Sequence, residues 1–248
     1  MKLHDQILKE LKKQGTAEKA QLLSRFFKTG PGQYGEGDRF LGVTVPKQRM
    51  IVNRFASEAD INTVTYLLDS TFHEARLTGV LLLVNRFTHS LKTQRNNKNS
   101  REILVKPDQW VALYLKKTDR VNNWDLVDSS APGVLGKWLE DKDRSILYRL
   151  AKSNILWENR IAMVATQHFI RQNDLDDLFK LSEQFLAHPH DLMHKATGWM
   201  LREAWKKDSG RVEAFLWKHK DRMPRTMLRY AIEKMPESRR KQLMKRDV

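Results

Sequence analysis

Apolar residues recur three and four positions apart along most of the chain, the spacing that lays one stripe of each helix against a core. Leu3, Ile7, Leu8 and Leu11 open the pattern within a segment that mixes acids and bases. They predict a folded first helix instead of a signal peptide, whose centre would be continuously apolar. The same spacing predicts helices over residues 3–14, 17–28, 46–56, 60–69, 73–89, 107–117, 123–139, 143–152, 155–171, 174–186, 191–206, 211–219 and 224–234. Breaks are expected at the glycine-rich residues 30–37, the polar run 94–100, and residues 188–190 around Pro189. The class is all-α, and residues 1–248 are expected to form one continuous domain.

A short internal echo refines that class. His73-Glu74-Ala75-Arg76-Leu77-Thr78-Gly79-Val80 matches Trp157-Glu158-Asn159-Arg160-Ile161-Ala162-Met163-Val164 at the acid, the arginine, the next aliphatic residue and the final valine. The offset of 84 residues is two helix-pair repeats of 42. An α-solenoid with a concave face is expected, with a compact bundle as the alternative.

Composition adds the partner. The chain carries 45 Lys and Arg against 30 Asp and Glu, a net charge of +15. Residues 218–248 hold 11 basic and 4 acidic side chains, so nearly half of the excess lies at one end. Phosphate backbones attract such a surface through counterion release, so nucleic acid is the expected partner ahead of anionic membrane or acidic protein. The longest purely aliphatic run, residues 80–84, is far too short to span a bilayer. The absence of cysteine excludes disulfides, thiolate metal sites and a cysteine nucleophile, and is compatible with a reducing cytoplasm.

The segment Asn122-Asn123-Trp124-Asp125-Leu126-Val127-Asp128-Ser129-Ser130-Ala131-Pro132-Gly133 carries the most chemistry. On a helix Trp124 and Asp128 share a face, and Pro132, four residues beyond Asp128, predicts a kink or break beside the acid. The structural alternative has Asp128 capping a following helix and Trp124 filling the core. Arg160 opens an apolar helix and can grip a phosphate with its forked guanidinium. In Lys195-Ala196-Thr197-Gly198-Trp199-Met200-Leu201-Arg202, small neighbours leave the Trp199 indole open to a base or sugar. Lys195 and Arg202 are assigned with Arg160 to DNA contact. Trp157 and Trp205 read as core or rim aromatics.

Other patterns lead elsewhere. Residues 30–37 lack the lysine of a phosphate-binding loop and read as a flexible loop. His188, His190 and His194 lack the spacing of a zinc set, so no metal and no cofactor is expected. Asp174, Asp176 and Asp177 sit at a helix start, where free backbone donors and the helix dipole favour them.

The chain resembles the AlkD-like DNA alkylation repair glycosylases, which are built from HEAT-like helical repeats. The resemblance rests on Phe40-Leu41-Gly42-Val43-Thr44-Val45-Pro46, Asn123-Trp124-Asp125-Leu126-Val127-Asp128 with Ala131-Pro132, Ile155-Leu156-Trp157-Glu158-Asn159-Arg160, and Gly198-Trp199-Met200-Leu201-Arg202-Glu203. The glycine-rich stretch before Phe40 and the polar insertion near Asn96 depart from the family pattern. The resemblance implies a concave basic surface for duplex DNA, a catalytic acid at Asp128, indoles at Trp124 and Trp199 facing the sugar and base, and a backbone contact at Arg160. It implies an intracellular, DNA-associated monomer that releases cationic alkylated purines such as 3-methyladenine and 7-methylguanine for base excision repair. The alternatives are a non-catalytic binder of damaged or branched DNA and a helical-repeat protein adaptor.

Overall fold

The computed structural model describes residues 1–96 and 105–245. Among them the chain is helical throughout, and its only ladder contact is an isolated parallel bridge between Arg39 and Phe72. No helix among the described residues is long and apolar enough to cross a membrane. The chain divides into two compact units, Met1–Ser130 and Ala131–Val248.

The first unit contains α1 (Leu3–Gln14), α2 (Ala17–Phe26), α3 (Val45–Phe55), α4 (Ile61–Leu68), α5 (His73–Asn96), α6 (Pro107–Lys116) and α7 (Trp124–Asp128). Its helix starts are set locally. Thr16 and Asp60 accept the backbone N–H of Lys19 and Thr63, satisfying donors that the first turn leaves unpaired. Ile7, Leu11, Val64, Leu67 and Leu68 are completely buried and meet α5, whose Leu82, Leu83 and Phe87 are equally enclosed. The entry to α3 is tied down by Glu74 at the start of α5, which accepts from Leu41 N, Gly42 N and Val43 N at 2.9, 2.7 and 3.1 Å. Gly42 has φ +83°, and a Cβ there would lie 2.1 Å from Thr16 O, so this turn requires glycine.

The second unit contains a π-helical segment (Pro132–Gly136), α8 (Ser145–Ala151), α9 (Leu156–Ala165), α10 (Gln167–Arg171), α11 (Asp176–Gln184) with a 3₁₀ turn (Phe185–Ala187), α12 (Asp191–Trp205), α13 (Ser209–His219), α14 (Arg225–Ile232) and α15 (Glu237–Met244). Its core is centred on α9 and α12, where Ile161, Val164, Met193, Ala196, Met200 and Leu201 are completely buried. Gly198 lets α12 and α14 approach at backbone distance: a Cβ there would stand 2.4 Å from Met227 O.

Several boundaries differ from the sequence expectation. The helix predicted over 123–139 divides, because Pro132 offers no N–H and the next segment closes i to i−5, with Gly136 N donating to Ala131 O at 2.9 Å. The helix predicted over 155–171 divides at Thr166, whose hydroxyl bonds back to Met163 O at 2.6 Å. α5 continues to Asn96 into the polar run expected to break it, and residues 97–104, which include the rest of that run, lie outside the described residues. α15 was not predicted. Asp176 and Asp177 do stand in the first turn of α11, but the acids there bond side chains: Arg144 reaches Asp174 and Asp177 at 2.7 Å each, Tyr148 donates to Asp177, and Arg211 reaches Asp176 at 2.7 Å.

The echoed segments occupy matching places. Each lies in the opening turns of a helix, α5 or α9, with Arg76, Leu77 and Val80 buried in one and Arg160, Ile161 and Val164 buried in the other.

Candidate active site

Trp124 and Asp128 stand at the two ends of α7, one helical turn apart and both partly buried. A five-residue helix has little stability of its own, so its surroundings must hold it. Asn123 is fully buried and accepts Trp124 N at 2.8 Å, while Leu126 and Val127 are completely enclosed. At the other end the Ser130 hydroxyl donates to Leu126 O at 2.7 Å and meets the Tyr114 hydroxyl at 2.9 Å. Burial pushes the Tyr114 phenol up and Asp128 pushes it the same way, so Tyr114 stays neutral.

An aromatic cluster backs Trp124. Phe27 stacks on the indole with ring centroids 5.3 Å apart, and Phe26 meets it edge-on at 6.0 Å. Phe27 also packs against Phe40 and His73, at 5.4 and 4.6 Å. An almost wholly apolar cavity of about 270 Å³ opens between Leu23, Phe26, Val45 and Trp124. Phe26, which walls it, is 60% exposed.

A second cavity in the first unit, about 530 Å³, has a different character. Arg49, Asn53, Asn85, His89, Lys92 and Ser129 line it with hydrogen-bond donors, and no carboxylate joins them. Ser129 follows Asp128 directly, so this donor-rich hollow borders the candidate acid in the chain. Such a lining suits an anion.

The other predicted residues gather on and beside α12 in the second unit. Lys195, Trp199 and Arg202 follow one another at i, i+4 and i+7 and share a helical face. Trp199 is partly buried. Lys195 pairs with Asp191 at 2.8 Å, and Arg202 pairs with Glu233 and lies 3.5 Å from Glu203. Both cations are thus engaged by carboxylates.

Arg160 is 5% exposed, and its Nη1 donates to Leu192 O at 2.7 Å in the first turn of α12. It ties α9 to α12 whatever else it contacts. Arg160→Ala is expected to cost about 2 kcal/mol, lowering the melting temperature by roughly 4–8 °C. Thermal unfolding followed by circular dichroism checks this, and an unchanged melting temperature would deny Arg160 its structural role.

The histidine cluster is accounted for by ordinary hydrogen bonds. His188 Nε2 lies 3.1 Å from Asn159 Oδ1, His190 Nδ1 accepts Leu192 N at 3.1 Å, and His194 Nε2 donates to His188 O at 2.5 Å.

The model for the family described as "DNA alkylation repair enzyme" matches residues 7–235. The chain belongs to that family. Among solved structures it is similar to a predicted DNA alkylation repair enzyme from Enterococcus faecalis, with 17% identity and a TM-score of 0.65 over 90% of this chain and 98% of that one. At that identity the likeness speaks for the fold. A comparison with curated proteins finds no match.

For a member of this family, two features of the first unit went unread in the sequence. The Arg49, His89 and Lys92 lining comes from α3 and α5, whose polar residues look in sequence like any solvated face. The second is a buried ion network through Asp125, to which sequence spacing assigns no role. His73 Nε2 lies 2.8 Å from Asp125 Oδ2, its Nδ1 lies 3.2 Å from Asp38 Oδ2, and Arg76 donates to Asp38 Oδ1 at 2.6 Å.

Proposed function

We propose that this member of the DNA alkylation repair family is a DNA glycosylase that hydrolyses the N-glycosidic bond of cationic alkylated purines in duplex DNA. The observation that carries the proposal is the partly buried Asp128, one turn from a stacked indole, on a short helix that ends before a proline. Family membership supports DNA as the partner and alkylation repair as the setting.

The chemistry suits so small a set of residues. A purine alkylated at N3 or N7 already carries positive charge and leaves as a neutral base, so no acid is needed to protonate it. The sugar develops oxocarbenium character as the bond breaks, and a carboxylate stabilises that charge more in the transition state than in the ground state. Asp128 supplies the anion and orients the attacking water. Trp124 and Trp199 offer faces for cation-π contact, which contributes about 0.5–2 kcal/mol and discriminates little between bases. Selectivity then follows from the lability of the cationic lesion. Arg160, Lys195 and Arg202 act on the backbone, together with the Arg49–Lys92 lining. Residues 1–248 act as one monomeric helical-repeat domain, a reading supported by the family match over residues 7–235.

The direct test is the appearance of abasic sites in methylated duplex, and not in unmodified duplex, on incubation with the protein. The charge excess gives a second expectation. Neutralising about four phosphates makes affinity fall roughly hundredfold over a fourfold rise in salt. Fluorescence anisotropy on labelled duplex measures it, and a flat dependence would remove the DNA-backbone contacts from the account.

A further inference from the structure

The two carboxylates of α7 are treated unequally. Asp128 is the candidate catalytic acid, whereas Asp125, three residues earlier, is bonded to the buried His73. His73 is 2% exposed and is gripped at both ring nitrogens, by Asp125 from α7 and by Asp38 from the loop before α3. Arg76, on the same helix as His73, closes the chain by pairing with Asp38, and Arg120 feels Arg76 from the other side. Glu74, the neighbour of His73, is spent on the amides of Leu41, Gly42 and Val43. The His73 ring also packs against both Phe27 and Phe40, at 4.6 and 4.8 Å, and Phe27 carries the contact on to Trp124.

We propose that His73 is a positioning residue for the reaction at Asp128, pinning α7 through Asp125 and compensating the Asp125 carboxylate. The inference rests on the glycosylase reading. Two like charges three residues apart on one helix turn raise each other's proton affinity. An uncompensated Asp125 would repel Asp128 and load the short helix with like charge. The network removes that conflict by giving Asp125 its own cation. Burial alone would push the His73 imidazole down, but the hydrogen bonds to Asp125 and Asp38 overcome it and raise the group to about 9. For Asp38, burial alone would raise the carboxyl, and His73 and Arg76 reverse this to hold it below its ordinary value. The same contacts define geometry, because the stack from His73 through Phe27 to Trp124 and the bond from His73 to Asp125 fix both the rotation and the position of a helix too short to hold itself.

Two readouts test the proposal. Imidazole NMR of the unmodified protein is expected to show both His73 nitrogens protonated at neutral pH, with a midpoint near 9, and Asp125→Asn is expected to lower that midpoint by about one unit or more. Single-turnover release of 7-methylguanine is expected to slow about tenfold in His73→Gln at neutral pH, with duplex affinity held within about twofold. Its acid limb is expected to move up by about one pH unit, and the double variant His73→Gln/Asp125→Asn, which removes both charges, is expected to bring the limb back. A His73 that titrates near the ordinary histidine value overturns the clamp. An unchanged rate at neutral pH in His73→Gln overturns the positioning role, and an acid limb that does not move, or that stays displaced in the double variant, overturns the charge compensation. Should the unmodified protein release no base, the glycosylase reading falls and takes the positioning role of His73 with it. The NMR result reports the clamp separately, so the two failures are distinct.

Discussion

Asp128→Asn is expected to slow excision of cationic purines by about a thousandfold while leaving the fold and duplex affinity nearly unchanged. Attraction between unit charges about 4 Å apart is roughly 4 kcal/mol at an effective dielectric of about 20, and that difference in barrier height corresponds to about three powers of ten. The estimate is an upper one, because some attraction already exists to the cationic ground state. The amide keeps the volume of the acid but offers no full negative charge and accepts no proton from water. Removing an anion does not repel phosphate, so binding should hold or tighten slightly. Asp125→Asn, the neighbouring carboxamide variant, is unsuitable as a charge control, because Asp125 is bonded to His73 at 2.8 Å and its loss disturbs the helix that carries Asp128. Asp119 is exposed and makes the better control: Asp119→Asn should excise at the unmodified rate. Single-turnover kinetics with circular dichroism and anisotropy on the same preparations separates the cases. Equal rates for Asp128→Asn and Asp119→Asn would remove Asp128 from the chemistry.

Gly198→Ala is expected to be among the most damaging single-methyl changes in the second unit, costing about 3 kcal/mol or more. The added Cβ would stand 2.4 Å from Met227 O and 2.6 Å from the Tyr230 Cβ, so it meets a carbonyl and a side-chain root that cannot swing away. α12 must then part from α14, and Lys195, Trp199 and Arg202 move with it. Gly210→Ala provides the contrast. Gly210 lies in the first turn of α13 with its nearest neighbour 3.7 Å away, so alanine should be neutral or stabilise by up to about 1 kcal/mol. Urea unfolding of both variants measures the difference, and similar midpoints would contradict the close approach of α12 and α14.

The two predictions draw on layers of structure that differ in how far they can be read from sequence. Periodicity located α1 at residues 3–14 and α12 at 191–206, against observed bounds of Leu3–Gln14 and Asp191–Trp205, because each helix sets a regular apolar stripe against a core. It failed for α15, where Leu243 alone is buried and no stripe exists to detect. It also fails at the end of α5, where polarity predicts a break although Lys, Gln and Arg are good helix formers. The break after Asp128 was legible because proline acts locally, through a missing donor.

The candidate site was legible to the same depth. Trp124 and Asp128 are four residues apart, so helical geometry alone puts them on one face. Asp38, His73 and Asp125 are joined across 35 and 52 residues, a separation at which local spacing says nothing. The pairing of Arg202 with Glu233, 31 residues on, is hidden for the same reason, and it shows that this cation is not an open one.

The central claim, that this family member releases cationic bases by hydrolysis at Asp128, is tested most directly by mass detection of the free base. Methylated duplex incubated with the protein should liberate free 7-methylguanine or 3-methyladenine, matched by an equal number of abasic sites, and Asp128→Asn should liberate either at close to the spontaneous rate. Duplex that is bound but yields free base no faster than in buffer would contradict the account and identify the protein as a non-catalytic binder.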